Sequence, residues 1–209
     1  EIGWRSSGSG FYLKGTTHIM TNLHVVGSAQ TIRISFPSGE SYPGRVVARD
    51  ANNDLAIVLI EGMRQRADGF TVNPRAGPVR PGEAVHALGY TLGVRLGRKP
   101  GIVSGQINSD VGIRGNIARF RMSARIRRGN SGGPLLNSKG VLIGVATAGL
   151  QRKGGVAITF GTKISAASMI MNQATIPINY DVEVRAKKDM APHEIFQTYH
   201  PYVVMIEVK

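Results

Sequence analysis

The chain has 209 residues, no cysteine and a formal net charge of +13. Without cysteine there is no disulfide, no thiolate metal site and no cysteine nucleophile, and no apolar run approaches the roughly 18–20 residues of a membrane helix. With 42% hydrophobic and 19% charged residues, the composition is that of a folded globule and excludes a disordered chain.

The chain begins at Glu1, so any start codon or targeting peptide is expected to have been removed. From there, short apolar segments alternate with Gly, Pro, Asn and Ser. That spacing predicts strands over 10–13, 18–22, 32–36, 45–50 and 55–59. After the cluster Asn73-Pro74-Arg75-Ala76-Gly77-Pro78-Val79-Arg80-Pro81-Gly82, a second set is predicted over 84–89, 101–107, 119–122, 134–136, 142–147 and 156–159. Alternation is visible in Thr31-Ile32-Arg33-Ile34-Ser35-Phe36 and Arg119-Phe120-Arg121-Met122, whose successive residues must face opposite sides. Many short strands between turn signals point to an all-β sandwich or barrel. The Pro/Gly cluster divides the chain into 1–75 and 76–175, with an extension over 176–209. A helix is expected over 164–174, apolar at Ile164, Ala167, Ile170 and Met171. The charge sits in the middle: residues 76–180 hold fourteen Lys/Arg against Glu83 and Asp110. Such a section attracts anionic partners or keeps a solvated face soluble.

Asn130-Ser131-Gly132-Gly133-Pro134 is the most informative stretch. Serine between glycines sits where backbone turns tightly and approaches a ligand closely, and a nucleophilic serine needs that exposure. A plain Gly-rich hairpin fits the same residues. Serine also needs an imidazole to accept its proton and an acid to orient that imidazole. Of five histidines, His24 ends the run Ile19-Met20-Thr21-Asn22-Leu23-His24 and is expected at the edge of an apolar strand, open to a cleft. His18 is expected in a turn. Asp54 abuts Leu55-Ala56-Ile57-Val58-Leu59-Ile60, so its carboxylate is expected to be partly buried and to require a partner. The chain order His, Asp, Ser is one of the convergent triad orders.

Thr21-Asn22-Leu23-His24-Val25-Val26, Asn53-Asp54-Leu55-Ala56 and Gly129-Asn130-Ser131-Gly132-Gly133-Pro134-Leu135-Leu136-Asn137 resemble the three signatures of HtrA-type (DegP-like) trypsin-like serine proteases. Gly8-Ser9-Gly10-Phe11 and Gly144-Val145 extend the resemblance over about 8–172. It implies two six-stranded antiparallel β-barrels of the chymotrypsin type with a short C-terminal helix, and a site in the crevice between them. It implies endopeptidase activity on unfolded or flexible protein segments without cofactor. By motif, His24 is the general base, Asp54 its orienter and Ser131 the nucleophile, with the N–H groups of Gly129 and Ser131 as oxyanion hole. Thr159, Phe160 and Gly161 fall where the family lines its specificity pocket. Location in the bacterial envelope (periplasm) or outside the cell is implied by resemblance alone.

Three departures bear on specificity. Thr162-Lys163 stands where the family has a hydrophobic-proline pair, and no PDZ domain is expected to follow. Arg125-Ile126-Arg127-Arg128 is unusually basic, so Arg125 is expected to border the substrate cleft and to favour acidic residues. The tail, Ala191-Pro192-His193-Glu194-Ile195-Phe196 and then Tyr202-Val203-Val204-Met205-Ile206, resembles the segment that usually precedes the glycine strand. It opens a second protease-like repeat, supplies the first strand of this barrel in cis or in a homo-oligomer, or is an unrelated edge strand. Asp50-x-Asn52-x-Asp54 imitates a calcium loop, but Leu55 stands where glycine is required. The histidines lack zinc spacing, so no metal is expected. Two other readings are a protease-fold binding or regulatory module with a collapsed oxyanion loop, and a basic nucleic-acid binder. Nucleic acid is disfavoured because no aromatics interleave the arginine runs.

Overall fold

A computed structural model describes residues 3–76, 78–91, 99–150, 158–178, 180 and 188–209. Strands β1 (Arg5–Tyr12), β2 (His18–Thr21), β3 (Ile32–Ser35), β4 (Ser41–Asp50) and β5 (Leu55–Ile60) close into one antiparallel barrel with β12 (Val203–Val208), in the order β1-β12-β3-β4-β5-β2. Strands β6 (Ala84–Gly89), β7 (Gly101–Ser109), β8 (Arg119–Met122), β9 (Pro134–Leu136), β10 (Leu142–Leu150) and β11 (Ile158–Lys163) close a second, ordered β10-β11-β8-β7-β6-β9. Residues 61–83 connect the two.

Several strands are apolar throughout because both of their faces are covered. Tyr12, Ile19, Ile34, Val58, Val204 and Ile206 fill the first barrel. Their chain neighbours Phe11, Met20, Ile57, Val203 and Met205 point the other way, as the strand period of two requires. There they form a joint core with Leu88, Leu136 and Val145 of the second barrel. Two helices seal this seam: α2 (Ala167–Gln173), through Ile170 and Met171, and α3 (Pro192–Tyr199), through Ile195. The expected helix over 164–174 therefore begins later, after a 3₁₀ turn at Ile164–Ala166. The strand expected over 156–159 is β11, which runs on to Lys163; residues 156 and 157 lie outside the described residues.

The tail strand lies between β1 and β3, pairing Gly8 with Ile206, Gly10 with Val204 and Ile34 with Ile206. Glu207 is buried there against Arg33, whose Nε and Nη2 both donate to Oε2 at 2.7 Å. The same guanidinium stacks 4.4 Å from the Trp4 ring centroid.

His18 begins β2 instead of lying in a turn. Burial holds both His18 and His86 below the ordinary histidine range. Each therefore takes up its proton at a lower pH in the fold than in the unfolded chain, where histidine titrates near pH ~6.5. Their contribution to stability is thus complete above that pH and is lost as pH falls towards the folded-state values. Between pH 7.5 and 5 the Tm of the protein is expected to fall, and His86→Gln is expected to make that slope shallower. Superimposable Tm–pH curves would remove His86 from the account.

Candidate active site

His24 does not sit on a strand edge. The β2 ladder ends at Thr21, and residues Leu23–Val26 form a single helical turn, α1. Val25 and Val26 bury their side chains in the first barrel. Gly27, at φ 49° and ψ −132°, ends the turn in a conformation that favours glycine. The turn leaves His24 about half exposed, its side chain 48% accessible.

Asp54 reaches it from the turn before β5, at φ 56°, a left-handed conformation that Asp tolerates better than most residues. One carboxylate oxygen accepts the His24 backbone N–H at 2.9 Å, and the other lies 2.7 Å from Nδ1. A carboxylate accepts only, so Nδ1 carries a proton, and in the neutral imidazole Nε2 is the nitrogen that keeps a lone pair. The Asp54 carbonyl is held in turn by Asn22 Nδ2 at 2.9 Å and Leu23 N at 3.1 Å. The calcium-like spacing upstream has a different use. Asp50 Oδ1 caps the N–H groups of Asn52 and Asn53 at 3.0 and 3.1 Å, and Oδ2 accepts from Asn53 Nδ2.

Ser131 is buried, 4% exposed, in a loop gripped by both barrels. The grip centres on Ser9 of β1, which the sequence reading did not single out as functional. Ser9 N–H donates to the Ser131 carbonyl at 2.8 Å, and its hydroxyl donates to the Gly129 carbonyl at 2.7 Å. That hydroxyl also accepts from Tyr90 N–H at 2.8 Å, and the Ser9 carbonyl accepts from the Thr21 hydroxyl at 2.7 Å. The signal was the flanking glycines. A Cβ on Gly8 would lie 2.7 Å from the Ser131 carbonyl and 2.6 Å from Val25, so the His24 turn and the Ser131 loop converge on it. A Cβ on Gly132 would lie 2.2 Å from both the Ser9 carbonyl and Thr21 Oγ1, and this glycine has φ +85°.

Ahead of Ser131, Asn130 N–H donates to the Arg127 carbonyl at 3.0 Å, and Gly129 has φ 103°. Arg128 is not among the residues with positive φ, and a four-residue turn with positive φ at its third residue but not its second is type II. Its central amide, Arg128–Gly129, is roughly reversed relative to type I. On β11, Gly161 faces the barrel interior, where a Cβ would meet Phe120 at 2.4 Å. Thr159 shares that face, and its hydroxyl lies 2.8 and 2.7 Å from the Met122 and Ala124 carbonyls. Phe160 lies on the opposite face with Thr162, whose hydroxyl donates across the seam to the Asn53 carbonyl at 3.1 Å. Arg125 is exposed on the segment leading to Ser131.

Residues 8–145 match the family model of the trypsin-like peptidase domain. Among curated proteins, the mitochondrial serine protease HTRA2 of Bos taurus is 37% identical over 147 residues, 68% of this chain and 31% of its own length. Protease Do-like 1, chloroplastic, of Arabidopsis thaliana is 33% identical over 147 residues, 69% of this chain and 33% of its own. The match spans 24% to 45% of the lengths of these and similar relatives. Among solved structures, the serine endoprotease from Yersinia pestis superposes with a TM-score of 0.68 at 25% identity, over 83% of this chain and 59% of that one. The HtrA-type protease AlgW with a decapeptide gives 0.68 at 26% identity, over 81% of this chain and 51% of that one.

Proposed function

The chain belongs to the trypsin-like peptidase family, as an HtrA-type domain, and on that premise we propose that it is a serine endopeptidase acting on unfolded or flexible protein segments. The observation that carries this reading is the double hold of Asp54 on His24, 2.9 Å to its backbone N–H and 2.7 Å to Nδ1. It leaves Nε2 as the acceptor for the Ser131 hydroxyl proton when the oxygen attacks a carbonyl carbon. The imidazolium then returns the proton to the leaving amine, and Asp54 stabilises that cation without taking the proton. The N–H groups of Gly129 and Ser131 receive the developing oxyanion.

The type II turn at 127–130 supports an assembled hole and disfavours the module with a collapsed loop. Phe160, on the seam side of β11, borders the cleft, while Thr159 and Gly161 brace its wall from within. Relatives whose names carry the words "periplasmic serine endoprotease DegP-like" support the cell envelope as location. Among the described residues no helix is long and apolar enough to cross a membrane.

Cleavage of a quenched-fluorescence peptide library tests the assignment. His24→Ala is expected to abolish turnover, by about 10⁴-fold or more, while His18→Ala retains it. An active His24→Ala enzyme would refute the role of His24.

A further inference from the structure

The segment that leads into Ser131 also builds a feature outside the triad. From 123 to 127 exposed and buried residues alternate: Ser123, Arg125 and Arg127 are exposed, while Ala124 and Ile126 are 0% and 8% exposed. The alternation puts Arg125 and Arg127 on the same exposed side of the segment. They line an open groove of about 500 Å³ together with Ser104 of β7 and with Thr91 and Asn130. Val103 of β7 is the one apolar side chain in the lining; the other groups are polar and hydrogen-bonded. Ser104 Oγ lies 2.8 Å from His86 Nδ1, Ser123 Oγ accepts from Gln106 N–H at 2.9 Å, and Thr91 Oγ1 donates to Asn130 Oδ1 at 3.1 Å.

The groove carries uncompensated charge. Among the described residues neither Arg125 nor Arg127 has a carboxylate within ion-pair distance. Throughout 76–180 the only acids are Glu83 and Asp110, and Glu83 lies beside Arg80. Two arginines on one face are suited to paired, charge-assisted hydrogen bonds with a carboxylate. The groove also adjoins the nucleophile: Asn130 precedes Ser131, and the Arg127 carbonyl anchors the turn through Asn130 N–H.

We propose that this groove binds acidic side chains of the polypeptide being cleaved, making Arg125 and Arg127 specificity-determining residues. The proposal rests on the endopeptidase reading for its substrate, but its first test does not need turnover. The full chain carrying Ser131→Ala is titrated with a fluorescein-labelled peptide bearing Asp and Glu, and with its Asn and Gln counterpart. The acidic peptide is expected to bind about tenfold tighter at about 20 mM salt and to lose that margin at about 500 mM, since the Debye length is about 10 Å at 0.1 M and shrinks with salt. Adding Arg125→Gln and Arg127→Gln is expected to erase the preference, while Arg80→Gln keeps it. Equal affinities, or a preference that survives the double substitution, overturn the proposal. So does displacement of the acidic peptide by random single-stranded DNA at lower concentration, which would assign the groove to nucleic acid.

A second arm identifies the source of the carboxylate. With wild-type enzyme, acids built into a cleavable peptide are expected to raise its kcat/KM about tenfold, a change equivalent to about 1.4 kcal/mol. The same acidic peptide added separately is expected not to accelerate cleavage of a neutral one; acceleration would mean an acting effector and overturn the substrate assignment. If neither peptide is cleaved while the binding preference holds, the endopeptidase reading fails and the groove stands.

Discussion

Ser131→Ala is expected to lower kcat by about 10⁶, the loss seen when a triad serine is removed, while leaving the fold in place. The two outcomes separate because the described anchoring of the loop runs through backbone. The Ser131 carbonyl is held by Ser9 N–H at 2.8 Å, Gly132 N–H by the Ala146 carbonyl at 2.8 Å, and Ala146 N–H by the Gly133 carbonyl at 2.8 Å. Alanine keeps each of these bonds. The expected readout is a circular-dichroism spectrum and Tm like those of the wild type, with peptide hydrolysis at background. Turnover above a few per cent of wild type would exclude Ser131 as nucleophile.

Removing residues 190–209 is expected to unfold the first barrel. Val203, Val204, Met205 and Ile206 are each fully buried. Burying a large apolar side chain contributes roughly 1.5–3 kcal/mol, so the four together are worth roughly 6–12 kcal/mol. That is as large as the whole net stability of an ordinary domain, about 5–15 kcal/mol. Without β12, β1 and β3 also face each other across a gap with unpaired backbone. Glu207→Ala keeps the chain length and is expected to lower Tm by less, because only the partner of Arg33 is lost. A synthetic peptide of residues 190–209 is expected to restore the cooperative melt of the truncated chain, by strand addition. A truncated protein that melts and elutes like the intact one would contradict a structural role for β12. An intact dimer that becomes a monomer on truncation would place the strand in a partner's barrel.

Strand positions were largely legible because an apolar run such as Leu55-Ala56-Ile57-Val58 has few other uses in a short segment. The helical turn at His24 was not. Leu23-His24-Val25-Val26 has the β-branched composition of a strand, and packing of Val25 and Val26 into the barrel end overrides that local preference. Ser9 was invisible as a functional residue for a related reason. Its partners Gly129 and Ser131 lie 120 or more positions away, and sequence carries only the glycines that permit the approach. The tail read correctly as strand-forming, but its place between β1 and β3 depends on which edge is left open. On β11, strand parity decides which side chains face the seam between the barrels, and that parity follows from the register of β11 against β8 and β10.

The most direct test of the endopeptidase assignment is reaction of the intact chain with a fluorophosphonate probe, the adduct being located by mass spectrometry of the digested protein. A probe of this kind reacts only where a serine is activated and its developing oxyanion is received. The account predicts one adduct per chain, on Ser131, lost in His24→Ala. A folded protein that stays unlabelled, or is labelled at another residue, would contradict it.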